Sequence, residues 1–235
     1  WKDTIYKRIL LSKTEPVGKY VYSDNDFIFL AKVAEAITGL PLDEYVSATF
    51  YRPMKLTSIG FDPLRQNRIN EIAPAEIEAN FRGQLLRGYV HDQGAAMMGG
   101  VAGHAGLFSD MYDVAAIMQM LLNGGNFNGT QYLKKETVQL FTGYHSSVSR
   151  RGYGFDKPDK DNQTRKEPYP ALSASSLAFG HTGFTGTCAW ADPSTELVFV
   201  FLSNRLFPSG GDVLQKLNVR GKMMESLYEA IQPMN

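Results

Sequence analysis

The sequence predicts an α+β fold: an antiparallel sheet with flanking helices. Three observations carry it. Helix-period segments fill the first half of the chain. Three apolar runs separated by turn residues lie together near the end, at 177–182, 185–191 and 196–203. A last helix-period segment over about 212–231 closes the chain.

The elements follow in order. Residues 26–38, DFIFLAKVAEAIT, space apolar side chains for one helix face, and Gly39 supplies the stop. Pro41 opens a second short helix, PLDEYVSATF, which ends before Pro53. Residues 60–88 read as irregular and polar, with a helical turn near PAEIEANF. The five glycines of GAAMMGGVAGHAGLF, 94–108, predict a compact loop. Asp110 and Asp113 cap a helix through VAAIMQMLL that stops at Gly124-Gly125. KKETVQLF is a further short helix, Tyr153-Gly154-Phe155 an edge strand, and the charged, Pro-containing stretch 156–170 a surface loop. Strand, bend and strand then follow, with His181-Thr182-Gly183 at the bend.

Composition narrows the function. The 235 residues are enough for one domain with a core; 43% are apolar and 20% charged, the mark of a globular chain. Lys+Arg and Asp+Glu number 24 each, and no basic run exceeds Arg150-Arg151, which argues against a nucleic-acid partner. No apolar run reaches the roughly 18 residues of a membrane helix. One cysteine, Cys188, excludes an internal disulfide. His91, Asp92 and His104 match no zinc spacing, so no metal or other cofactor is expected; His91 and Asp92 read as hydrogen-bonding groups of a glycine-rich loop. The methionines 97, 98, 111, 118 and 120 read as packing, and Tyr153 and Trp190 as buried aromatics or cleft walls.

Tyr22-Ser23-Asp24 stands just before the first long helix. Alone it reads as an aromatic and a helix cap. Together with YSDNDFIFLAKVAEAITGLPLDEYV, GGVAGHAGLFSDMYDVAAIMQMLLNGG and GHTGFTGTCAWADPSTELVFVFLSNR, it resembles the serine β-lactamases, penicillin-binding proteins and related esterases, above all the class C type and the low-molecular-weight penicillin-binding proteins. The resemblance covers nearly the whole chain, least clearly 60–88 and 145–175. It implies a β-lactamase/transpeptidase-like fold and an acyl-serine hydrolase acting on peptidoglycan stems, β-lactams or short esters. It also implies a periplasmic or cell-surface location.

Residue roles come from the same resemblance. Tyr22 matches the tyrosine that moves protons, a task for which a phenol of pKa near 10 needs a nearby cation. Asp24 stands where better-known members carry Asn, and an ionised Asp can only accept. His181 matches the basic residue of Lys-Thr-Gly, Thr182 a substrate-carboxylate contact, and Gly183 a residue that leaves room for substrate. The Phe184 N–H would be one arm of an oxyanion hole.

The family's nucleophile, Ser-x-x-Lys, has no counterpart: no lysine has a serine three residues before it, and Thr4-Ile5-Tyr6-Lys7 lies too close to Tyr22. There is no Gly-x-Ser-x-Gly either. The expectation is therefore the C-terminal portion of one domain, helices and loops over about 1–150 and sheet and last helix over about 151–235. Its nucleophile and N-terminal strands would lie upstream, its sheet would be poorly covered, and it would tend to self-associate. The rival expectation is a non-catalytic or peptidoglycan-binding module fused behind a β-N-acetylglucosaminidase.

Overall fold

The computed structural model describes residues 1–66 and 68–231. The chain divides into two compact units, residues 1–113 with 206–210, and residues 114–205 with the chain from 211 onward.

The first unit begins with helix α1 (Lys2–Leu10), for which the sequence raised no expectation. Helix α2 (Asn25–Thr38) ends where expected, with Gly39 left-handed at φ 71°. Helix α3 (Leu42–Val46) starts after Pro41, and Ser47–Tyr51 widens into a π-turn before Pro53. Strand β1 (Gly60–Phe61) comes next. The helical turn expected near PAEIEANF is instead a hairpin, β2 (Glu76–Glu78) against β3 (Gln84–Leu86). Its closure depends on distant groups. Arg82 ties to buried Glu78 at 2.7 Å and donates to the carbonyls of Val90 and His91 at 2.6 and 2.7 Å. Burial raises the Glu78 carboxyl, but the Arg82 and Gln93 bonds outweigh it and hold the pKa below the usual value.

The glycine-rich stretch is a loop only in part. Helix α4 (Gln93–Met97) starts at Asp92, whose Oδ1 accepts from the Ala95 N–H at 2.7 Å. Beyond it the chain runs to β4 (Leu107–Phe108), which pairs with β1. The unit's core joins Ile28, Val90, Ala95, Met98 and Ala102, with Ile5, Tyr6 and Ile9 of α1 against it.

Helix α5 (Met111–Leu122) is capped by Asp110, whose Oδ1 accepts from Tyr112 and Asp113 N–H at 3.0 and 2.9 Å. Asp113 does something else: its Oδ2 receives the Ser58 N–H and hydroxyl at 2.6 and 2.8 Å. In the second unit, β5 (Asn126–Phe127) and β6 (Thr130–Gln131) form a tight hairpin. Its turn residues Asn128 and Gly129 have φ of 48° and 82°, as a two-residue hairpin loop requires. Helix α6 (Lys135–Thr142) matches its expected position. The central sheet is the antiparallel meander β7 (Phe179–Thr182), β8 (Cys188–Asp192), β9 (Leu197–Phe201). Helices α7 (Val213–Lys216) and α8 (Val219–Ile231) take the place of the single closing helix.

Both faces of this sheet are covered, contrary to the expectation of a poorly covered one. Met224 and Tyr228 of α8 pack with Trp190, Cys188 and Phe199 on one face. Met118 of α5 packs with Phe179 and Ala191 on the other, with Val114, Leu121 and Leu122 beside it. The physical reason is α5: its apolar repeat serves the sheet, so the cover does not rest on α8 alone. Trp190 is 2% exposed and belongs to that core.

Two further expectations fail here. Tyr153-Gly154-Phe155 is not a strand; the single bridge to β7 is made one residue later, Asp156 to Gly180. The charged stretch 156–170 is not simply a surface loop, since Asp156, Lys157 and Asn162 are buried. There Asp156 pairs with Arg150, and the Lys157 ammonium donates to the Ala178 carbonyl.

Candidate active site

The first group of predicted site residues lies at the start of α2. Tyr22 is 57% exposed. Asp24 is exposed at the N-cap position but makes no capping bond, and the Asn25 N–H is met by Ser23 Oγ at 3.2 Å. The cap reading of Asp24 therefore does not hold, and its carboxylate remains available for other contacts. Of the loop residues, His91 binds Glu76 at 2.7 Å, and Asp92 binds His104 at 2.8 Å.

The second group lies at the end of β7, inside the other unit. His181 pairs in register with Ala189, and Thr182 with Cys188. The His181 Nδ1 is 2.7 Å from the Thr182 carbonyl, and Nε2 is 2.6 Å from a terminal nitrogen of Arg151. A guanidinium only donates. In this arrangement Nε2 accepts, Nδ1–H donates, and the imidazole adds no charge. The positive charge at the strand end belongs to Arg151, a residue the motif reasoning did not single out.

Arg151 owes its place to Asp156. Backbone bonds of 2.7 and 3.0 Å fix Asp156 against Gly180 of β7. Its buried carboxylate takes two bonds from Arg150, at 2.7 and 3.0 Å, and one from the Tyr169 hydroxyl at 2.7 Å. Arg151 lies at 3.5 Å from the same carboxylate, so most of that negative charge is already engaged. Burial pushes the Asp156 carboxyl up, yet the bonds from Arg150 and Tyr169 prevail and keep its pKa below the ordinary range. Burial and the adjoining Asp156 raise Tyr169 strongly, while a bond with Thr182 opposes the shift. A chain of contacts thus runs from Asp156 through Tyr169 to Thr182 and through Arg151 to His181.

The bend after Thr182 is held from behind. A Cβ on Gly183 would lie 2.2 Å from the Thr187 hydroxyl, and the Gly183 N–H donates to the Thr187 carbonyl at 2.7 Å. A side chain at 183 would therefore have to displace the Thr187 hydroxyl, while the backbone beside it leaves ordinary contact distance. Arg220 donates to the Thr187 carbonyl at 3.0 Å. Arg205 donates to the Phe184 carbonyl at 2.7 Å, with its guanidinium 4.8 Å from the Phe184 ring, which is 69% exposed. Cys188, opposite Thr182, is buried, and burial pushes its thiol to about 11, which leaves it unreactive at neutral pH.

This is a strand edge with a cation, a hydroxyl and an exposed aromatic at its polar end. The family model described as Beta-lactamase matches residues 7–221. The chain belongs to the beta-lactamase family. A protein of Escherichia coli K12 named "Putative D-alanyl-D-alanine carboxypeptidase" is 39% identical over 203 residues, which cover 81% of this chain and 46% of that protein. The chain thus spans about half the length of the curated relatives it matches. Among solved structures, a beta-lactamase from Mycobacterium bovis aligns over 93% of this chain and 66% of its own, at 16% identity and a TM-score of 0.61. A penicillin-binding protein homologue from Caulobacter crescentus aligns over 92% and 60%, at 17% identity and a TM-score of 0.62. These likenesses show the fold. Together with the family match they establish a β-lactamase-like domain of α+β architecture.

Proposed function

We propose that this chain carries the proton-transfer and carboxylate-reading parts of an acyl-serine hydrolase of the D-alanyl-D-alanine carboxypeptidase type. Its Ser-x-x-Lys would come from a segment outside these 235 residues. The observation that carries the reading is the polar end of β7, where the Arg151 guanidinium meets His181 beside Thr182. A carboxylate at a peptide's C-terminus, or on a penicillin, needs such a cation and hydroxyl. Family membership and the 39% identical relative supply the reaction class.

In this reading Tyr22 moves the proton and Asp24 accepts a hydrogen bond from a lysine. Arg151 with Thr182 reads the carboxylate, His181 orients Arg151, and the Phe184 N–H polarises the scissile carbonyl. Gly183 keeps the strand edge open. The substrate is a peptidoglycan stem or a small molecule of like shape, and the site of action is the periplasm or cell surface.

The test compares this chain with the protein extended at its N-terminus. A fluorescent penicillin is expected to label the longer protein and leave the chain unlabelled. In the longer protein, Arg151→Gln should slow acylation by the penicillin on the order of tenfold or more relative to p-nitrophenyl acetate, since a charged hydrogen bond contributes about 1.5–3 kcal/mol. Specific labelling of a serine within the 235 residues would place the nucleophile elsewhere than proposed. Equal slowing of penicillin and ester would remove the carboxylate-reading role.

A further inference from the structure

Asp24, Asp92 and His104 come together in the first unit, although they are far apart in sequence. One ligand-type atom of each lies within 4.8 Å of the other two. The meeting is built in by Gly103: a Cβ there would lie 2.1 Å from the Phe27 carbonyl oxygen. Only glycine lets this loop rest on the first turn of α2, and that contact carries the next residue, His104, to Asp24.

His104 is 4% exposed at its side chain, and its Nε2 is 2.8 Å from Asp92 Oδ1. Its Nδ1 is buried and has no hydrogen-bond partner among the described residues. Asp24 is a cap residue that does not cap. Among the described residues neither carboxylate is ion-paired to a Lys or Arg. Two carboxylates held this close gain from a shared cation, which would take the place of the proton between His104 Nε2 and Asp92 Oδ1.

We propose that Asp24, Asp92 and His104 form a divalent-cation site, with zinc the best match. One imidazole and two carboxylates suit zinc more than calcium or magnesium, which take oxygen ligands. Zinc bonds of roughly 2.0–2.2 Å place two ligands at most about 4.4 Å apart. A small rotation of the exposed Asp24 carboxylate closes the remaining distance. Water completes the shell on the open side of Asp24. The expectation of no metal rested on sequence spacing. Asp24 lies some 70 residues before Asp92, and no spacing rule links them. The inference shares Asp24 with the acyl-serine reading without depending on it: a bound ion would occupy the carboxylate that the lysine contact otherwise takes.

The test is calorimetric titration of zinc alone into the full, metal-stripped chain. One equivalent is expected to bind. Asp24→Asn removes a surface ligand and leaves the core untouched, so circular dichroism should be unchanged. Its Kd should rise on the order of ten- to a hundredfold. His104→Gln should abolish binding, but its burial makes Asp24→Asn the deciding variant. Absence of binding at about 1 mM zinc would overturn the site and leave a plain Asp92–His104 hydrogen bond. Equal affinity in wild type and Asp24→Asn would overturn it as well, by locating the ion elsewhere.

Discussion

Replacing Asp156 by alanine should destabilise the second unit strongly. The carboxylate is 1% exposed. It accepts from Arg150 at 2.7 and 3.0 Å, from the Tyr169 hydroxyl at 2.7 Å and from the Lys157 N–H at 3.0 Å. Truncation strands a partly buried guanidinium and a partly buried phenol at once. Removing one partner of a buried ion pair costs about 3–5 kcal/mol because the other charge is left uncompensated. Arg150 retains Asp159 at 3.3 Å, which favours the lower half of that range. Urea denaturation at pH 7, followed by tryptophan fluorescence, would read the loss through Trp190 in the adjoining core. The pH dependence is a second check. The folded pKa of Asp156 lies below its unfolded value. The stabilisation is therefore complete above the unfolded value, about pH 4, and disappears as pH falls through the folded one. Asp156→Ala should flatten the acid limb of the stability curve below about pH 4. A loss under about 1 kcal/mol with an unchanged acid limb would refute the view that Asp156 organises the strand end.

Three more expectations follow from the same structure. Lys157 is buried against the Ala178 carbonyl, and burial lowers its pKa to about 8; the unfolded chain therefore holds more protons between about pH 8 and 10, and the penalty that the buried charge puts on folding shrinks across that window. Lys157→Met should leave stability at pH 7 unchanged or higher and remove that slope, and a large loss at pH 7 would contradict it. Gly103→Ala forces a Cβ to within 2.1 Å of a backbone oxygen, so unfolding should be easier by about 1–3 kcal/mol, read by thermal melting; an unchanged melting temperature would show that the loop stands clear of α2. Leu30, Val33 and Ile37 are half or more exposed on α2, so the isolated chain should self-associate by light scattering; a stable monomer would refute this, and Leu30→Glu should reduce the association.

Much of the architecture was legible because local chemistry set it. Gly39 ends α2, Asp110 caps α5, and the β7–β8–β9 meander follows three apolar runs. What escaped was set by distant partners. Nothing in Glu76–Glu78 or Gln84–Leu86 announces a strand, since the pairing is stabilised by Arg82 reaching Glu78 and the carbonyls beyond. The Asn128-Gly129 dipeptide is by itself the signal of the short hairpin between β5 and β6. The buried charges of 156–162 look like surface charges until Arg150 is seen to fold back on Asp156. Arg151 was noted only as half of a basic pair. Its role became visible once Asp156 fixed it against His181.

The bend that ends β7 is braced by two arginines outside every recognisable motif: Arg205 at the Phe184 carbonyl and Arg220, from α8, at the Thr187 carbonyl. Positions 205 and 220 therefore act as adjustment points for the width of the strand end. Libraries diversified at these two positions would vary the opening while His181, Thr182 and Gly183 stay fixed.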